Sequence, residues 1–82
     1  SITNFPIIIQ ENNAIHIYSN ILLNNMDITI KDSSNNIIQS VFITVVPNQP
    51  TAIKIVTTEK GDYKIELRYN QVSLYGYFSI MP

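Results

Sequence analysis

The chain has 82 residues, a formal net charge of −1 and a charged fraction of 13%. This length predicts one domain over residues 1–82, and so small a net charge provides no field to hold a nucleic-acid backbone. The absence of cysteine excludes disulfides and thiol chemistry, and no run approaches the roughly 20 apolar residues that cross a bilayer.

The first part of the chain predicts two strands. Residues 5–10 form the first, and Pro6 near its start favours an edge position, because proline has no N–H to donate to a neighbouring strand. Residues 14–18 form the second. Its two isoleucines share one face, which leaves His16 and Tyr18 on the other.

The middle of the chain predicts a connection, two strands and a turn. The apolar segment 21–23 does not alternate, and we expect it to cross between two sheets with its middle in the core. Residues 26–31 alternate as a third strand, and the polar segment 32–36 is a turn. Residues 37–46 form a fourth strand that is apolar on both faces. Such a strand carries a bulge, crosses between sheets or meets a partner.

The last part of the chain predicts a fifth strand at residues 51–57 and then a hairpin. Residues 63–69 and 72–80 alternate apolar and polar side chains, and only Asn70 and Gln71 separate them. A two-residue loop fixes the register. The expected inward pairs are Tyr69 with Val72, Leu67 with Leu74, Ile65 with Gly76, and Tyr63 with Phe78.

The same register makes two predictions about side chains of the hairpin. On the outward face Lys64 lies opposite Tyr77, which allows a cation–π contact of about 0.5–1 kcal/mol. Gly76 lies inside a strand, where a glycine suggests a bulge or the close approach of another group. We therefore expect Gly76→Val to destabilise the domain.

Seven short strands with turn signals every eight to twelve residues define the fold class. They predict an all-β protein, an immunoglobulin- or fibronectin-III-like antiparallel β-sandwich of about seven strands. No helical periodicity competes with this interpretation.

Two stretches carry a resemblance to a known family. They are Ile28-Thr29-Ile30-Lys31-Asp32 and, at the end of the chain, Gly61-x-Tyr63-x-Ile65-x-Leu67 followed by Leu74-x-Gly76-x-Phe78-x-Ile80. With them the chain resembles a family of small secreted proteins of gut bacteria that is catalogued only as a domain of unknown function. It is also similar to the C-terminal β-sandwich sorting domains that direct secretion in the same bacteria.

The resemblance implies an immunoglobulin-like fold, a periplasmic or extracellular location and no enzymatic activity. It also implies an export signal that the mature chain has lost, and a start at Ser1 fits such processing. Sorting domains normally end in basic residues, whereas this chain ends in Met81-Pro82.

The residues that could carry chemistry are few and scattered. His16 is the only histidine, has no second histidine or cysteine with which to share a metal, and lies on the outward face of a strand. The six acidic residues show no spacing suited to acid–base catalysis or calcium binding, and no Gly-x-Ser-x-Gly motif is present. We therefore predict no catalytic residue, no metal ligand and no cofactor.

Exposed tyrosines are the candidate interaction surface. Tyr75 and Tyr77 point away from the predicted core, near Lys64 or Tyr18, and tyrosine is enriched at protein interfaces. The function predicted is an exported, non-enzymatic structural or protein-interaction module, with an unknown protein or a second copy as its partner. Two alternatives stay open: carbohydrate binding by these tyrosines, and a terminal sorting or linking domain of a larger secreted protein.

Overall fold

The computed structural model describes residues 6–57 and 59–81, and these form seven strands and no helix. Every strand pairing in this part of the chain is antiparallel. The strands are β1 (Ile7–Glu11), β2 (Ala14–Tyr18), β3 (Leu23–Asp32), β4 (Ile37–Val45), β5 (Thr51–Lys54), β6 (Gly61–Tyr69) and β7 (Val72–Ile80).

Two sheets make up the domain. The first has three strands in the order β1-β2-β5, and the second has four in the order β4-β3-β6-β7. The predicted seven-stranded β-sandwich is thereby confirmed. The first strand lies at an edge, as Pro6 indicated, while Phe5, where it was predicted to begin, lies outside the described residues.

The core is formed by the inward-facing residues of both sheets. From Met26 to Ile30 in β3 and from Tyr63 to Leu67 in β6 every second residue is buried, which is the period-2 pattern that a strand imposes on its side chains. Fully buried isoleucines of β2 belong to the same cluster as those of β3, so they hold the two sheets together. The buried core residues are Ile15, Ile17, Leu23, Met26, Ile28, Ile30, Val45, Ile55, Tyr63, Ile65 and Leu67.

Several asparagines adopt a conformation that asparagine tolerates better than most residues. In the described part of the chain five asparagines have φ between 54° and 68°, in the left-handed region; four lie in turns or loops, and Asn25 lies within β3 where its register with β4 shifts. At the β3–β4 turn the carboxylate of Asp32 accepts hydrogen bonds from the backbone N–H of Ser34 and of Asn36, each 2.9 Å long. These bonds lower the pKa of Asp32, since they stabilise its ionised form. The asparagines in the left-handed region are Asn12, Asn25, Asn35, Asn48 and Asn70.

β4 contains the bulge that its two-sided apolar pattern allowed. Ile30 pairs with Gln39 whereas its neighbour Lys31 pairs with Ile37, so Ile38 is the extra residue. The bulge shifts the inward-facing set of β4 by one position, which explains why neither alternating set of the sequence was consistently apolar.

Gln39 links the edges of the two sheets. Its Nε2 donates to the backbone carbonyl of Lys54 at 2.9 Å, and its Oε1 accepts from the backbone N–H of Val56 at 3.1 Å. One side-chain amide therefore satisfies two backbone groups at the end of β5, as a further strand would.

The terminal hairpin has the predicted register at all four inward pairs, and Lys64 lies opposite Tyr77. The prediction for Gly76 is wrong, because β7 has no bulge there and an added Cβ would meet nothing within 4 Å. The prediction for the connection is also partly wrong. Ile21 and Leu22 are 36% and 52% exposed, and only Leu23 enters the core, as the first residue of β3.

Candidate functional site

The candidate site lies on the outer face of the four-stranded sheet, on the β6–β7 hairpin. The residues of β7 that alternate with its inward set are all exposed, and they include Tyr75 and Tyr77, at 67% and 75%. Both rings stand on an edge strand, so a partner can approach from above the sheet and from its side. We call Tyr75, Tyr77 and Lys64 the tyrosine patch.

The three side chains of the tyrosine patch contact one another. The rings of Tyr75 and Tyr77 pack edge to face, with centroids 6.0 Å apart and an interplanar angle of 83°. Lys64 Nζ lies 4.7 Å from the centroid of the Tyr75 ring. The predicted cation–π contact therefore exists, but with Tyr75. The Lys64 side chain reaches diagonally along the sheet towards Glu66, and Tyr75 is the residue opposite Glu66.

Glu66 fixes Lys64 in that position. Its carboxylate lies 3.2 Å from Lys64 Nζ, 3.2 Å from Lys31 Nζ and 3.7 Å from Arg68 Nη2. Hydrogen bonds from Lys31 and then from Lys64 lower the pKa of Glu66, with the positive charges of both acting in the same direction. These partners leave the Glu66 side chain only 15% exposed. The carboxylate in turn holds the ammonium group of Lys64 against the ring of Tyr75.

This arrangement combines two exposed aromatic rings with a carboxylate that is paired with cations. The two rings present large exposed faces and contact each other, and the ring of Tyr75 also contacts a cation, which favours one arrangement of the patch before a partner covers it. The nearby carboxylate is ionised and paired with cations, which leaves it unsuited to accept or donate a proton near neutral pH.

Tyr18 does not belong to the tyrosine patch. It lies on β2, in the other sheet, and is 40% exposed. It borders an open depression of about 620 Å³ together with Ile7, Ser19, Gln49 and Pro50. The sequence predicted the outward orientation of Tyr18, but which sheet each strand joins depends on tertiary structure.

His16 lies in the middle of the outer face of the three-stranded sheet. It pairs with Ile9 of β1 and Ala52 of β5, and its Nε2 is 3.8 Å from Glu11 Oε1. Within residues 6–57 and 59–81 no group of three or more histidine and acidic side chains is close enough to hold a metal ion.

Two surface features were not foreseen from the sequence. An open groove of about 400 Å³ runs between the edges β1 and β7, and Ile8, Leu74, Gly76 and Phe78 are among its lining residues. Phe42, on β4 at the opposite edge of the same sheet, is 62% exposed. Its alternation with Val41 and Ile43 contained this signal, but the bulge in β4 concealed which set faces outward.

No helix in the described part of the chain is long and apolar enough to span a membrane. A profile of the family described as Domain of unknown function (DUF3244) matches residues 1–80. No curated protein is similar enough to the chain to count as a match.

Proposed function

The chain belongs to the DUF3244 family of domains of unknown function, and from that premise we propose that it is an exported, non-enzymatic domain that binds another protein through its tyrosine patch. The observation that carries the proposal is the pair Tyr75 and Tyr77, at 67% and 75% exposure, whose rings contact each other while Lys64 lies against the ring of Tyr75.

Removing exposed aromatic surface from water lowers the free energy of the protein, so a partner that covers the two rings gains affinity. A tyrosine side chain can bury about 150–250 Å² on binding, and tyrosine is enriched among the residues that dominate interface affinity. Beside the patch, Lys31 and Arg68 pair with the carboxylate of Glu66, which also pairs with Lys64 of the patch, and these charged groups provide a polar rim.

The ring geometry supports a protein partner over a sugar. Stacking on a sugar ring uses the flat face of an aromatic side chain, whereas Tyr75 and Tyr77 stand at 83° to each other and offer no common plane. A pair of perpendicular rings forms a corner, and side chains of a protein can pack into a corner.

Export is proposed from the resemblance to secreted proteins, and the cysteine-free composition is compatible with an oxidising compartment. Fractionation of the source organism, followed by immunodetection of the untagged protein, tests this part alone. Recovery in the cytoplasm would contradict it.

The binding proposal is tested with three immobilised forms of the domain: the wild type, the double variant Tyr75→Ser/Tyr77→Ser, and Phe42→Ser. Phe42 is an exposed aromatic residue on the same sheet face but outside the tyrosine patch, so Phe42→Ser is a matched control. Each form is incubated with the periplasmic and surface proteins of the source organism, and bound proteins are quantified by mass spectrometry.

We expect at least one protein to bind the wild type and Phe42→Ser equally. The amount of that protein bound to the double variant should be lower by about tenfold or more. That protein, once purified, must show the same ranking of affinities by calorimetry. Equal losses with both variants, or no protein that distinguishes them, would contradict the proposal. So would a glycan array on which only the forms with Tyr75 and Tyr77 bind, since that result assigns the patch to carbohydrate.

A further inference from the structure

The strand β7 reads almost the same from either end. Residues 72–80 are Val-Ser-Leu-Tyr-Gly-Tyr-Phe-Ser-Ile, with Gly76 at the centre. Outward from Gly76, both directions meet a tyrosine, a large apolar residue, a serine and a β-branched aliphatic residue in that order. Two copies of this strand, paired antiparallel about Gly76, would set each residue opposite one of its own kind.

The free hydrogen-bonding groups of β7 have the phase that such a pairing needs. Tyr69 and Val72 pair across a two-residue loop, so they exchange hydrogen bonds, and the bonding pairs then recur at every second residue. Val72, Leu74, Gly76, Phe78 and Ile80 therefore direct their backbone groups towards β6. The four intervening residues direct theirs towards the open edge of the sheet: Ser73, Tyr75, Tyr77 and Ser79.

The other three edges of the sandwich each carry a feature that discourages strand addition. β1 follows Pro6 and ends at the charged Glu11, and β5 has only four residues. The amide of Gln39 occupies backbone groups at the end of β5, and β4 has the bulge at Ile38. These are the usual protections of an edge strand. β7 has nine residues, no proline, no charge and no bulge.

From these observations we infer that a second copy of this chain pairs with β7, edge to edge and antiparallel, about a twofold axis at Gly76. Ser73 then lies opposite Ser79 of the second copy, and Tyr75 lies opposite Tyr77. The four residues of each copy whose backbone groups point to the open edge form about eight hydrogen bonds between the two strands in total. The two four-stranded sheets become one continuous sheet.

Both faces of the joined edge fit this arrangement. On the outer face, two tyrosine patches become adjacent and form a cluster of four rings. On the inner face, Leu74 and Phe78 of each copy extend towards the groove between β1 and β7 of the other, which Gly76 leaves open. Gly76 faces its own counterpart at the axis, in a pair without hydrogen bonds, where backbones approach to about 4.5 Å.

The absence of charge on β7 favours a second copy as the occupant, and the contact area limits the strength of the pairing. β7 has no charged side chain, so two copies bring no like charges together at the edge. A nine-residue strand is about 30 Å long and a sheet layer about 10 Å thick, which gives a footprint of about 300 Å² on each copy. This is less than half of what a stable dimer buries, so the dimer is weak and forms at about 10–1000 µM.

This inference goes beyond the proposed function, because it concerns the edge of β7 and does not depend on a partner for the tyrosine patch. Cysteine cross-linking tests it directly, since the wild-type chain has no cysteine. Gly76→Cys places two thiols across the twofold axis, at a separation that a disulfide can span. An added Cβ at this position meets nothing within 4 Å in the monomer, so the variant has room for the start of the side chain.

Ser73→Cys is the matched control. Ser73 is exposed on the same strand, but in the inferred register its counterpart in the second copy is about 20 Å away. With oxidised glutathione and at equal protein concentration, we expect Gly76→Cys to form a disulfide-linked dimer at least about tenfold faster than Ser73→Cys. Equal rates, or faster cross-linking of Ser73→Cys, would overturn the inference.

Charge reversal tests the register by a second route. In Ser73→Glu/Ser79→Lys, opposite charges face each other across the dimer, and in Ser73→Lys/Ser79→Lys like charges do. In both variants Ser79→Lys lies opposite Asp62 within the hairpin. Position 73 lies opposite Arg68, where Ser73→Glu adds an attraction and Ser73→Lys a repulsion, so the urea midpoint of each variant is measured first to establish that it is folded. Sedimentation equilibrium should give about tenfold tighter association for the first variant, with a smaller difference at high salt. Identical association constants for the two variants, or a wild type that stays monomeric at about 1 mM, would contradict the inference, whatever the capture experiment shows.

Discussion

The link that Gln39 makes between the two sheets leads to a quantitative prediction. Gln39→Met keeps the length of the side chain and removes both hydrogen bonds, to the carbonyl of Lys54 and from the N–H of Val56. A hydrogen bond contributes a net of about 0.5–1.5 kcal/mol, so the two together contribute about 1–3 kcal/mol. Both backbone groups are near the surface, where water replaces part of the loss, and we expect destabilisation of about 1–2 kcal/mol.

Urea unfolding followed by tyrosine fluorescence measures this change, and the melting temperature should fall by about 5–15 °C. Gln10→Ala is the control, because Gln10 makes a single local hydrogen bond, to the carbonyl of Asn12, within the β1–β2 turn. The amide of Val56 should also exchange faster with solvent in Gln39→Met than in the wild type. Unchanged exchange at Val56, together with a stability equal to that of Gln10→Ala, would refute the reasoning.

Two further predictions concern Glu66 and Gly76. The pKa of Glu66 is lowered in the folded state, so its ionisation stabilises the fold above the unfolded value of about 4.3, and this contribution disappears as the pH falls through the folded value. Glu66→Gln should therefore be less stable than the wild type at pH 7, and the two urea midpoints should converge under strong acid; a constant difference at all pH values would count against this. At concentrations where the domain is monomeric, Gly76→Ala should raise the free energy of unfolding by about 0.5–1 kcal/mol, since alanine restricts the unfolded chain and meets no neighbour at that position. A lower free energy of unfolding for Gly76→Ala would instead support the expectation from the sequence that another group lies close to Gly76.

The terminal hairpin could be read from the sequence because its register depends on local chemistry. Two residues separate its strands, and a loop of that length permits one pairing, from Tyr69 with Val72 to Gly61 with Ile80. The register of β4 could not be read in this way. It depends on the bulge at Ile38 and on Gln39, whose amide donates to the carbonyl of Lys54, the last residue of β5 in the other sheet.

The candidate site was predictable in part for the same reason. Alternation placed Tyr75 and Tyr77 outside the core, and the register placed Lys64 beside them. Neither pattern showed that Glu66 directs the ammonium group of Lys64 to the ring of Tyr75. That geometry depends on Lys31 from β3, a strand distant in sequence. For Tyr18, alternation predicted an exposed side chain but not the sheet to which its strand belongs.

The most direct test of the account is amide hydrogen exchange along β7, measured residue by residue in dilute and in concentrated solution. In dilute solution we expect alternation: Leu74, Gly76 and Phe78 are protected by β6, while Tyr75 and Tyr77 exchange freely at the open edge. At about 1 mM the amides of Tyr75 and Tyr77 should also become protected, as the second strand pairs with them. Uniform protection in dilute solution, or free exchange of these two amides at every concentration, would contradict the claim that β7 is an open edge that binds its own copy.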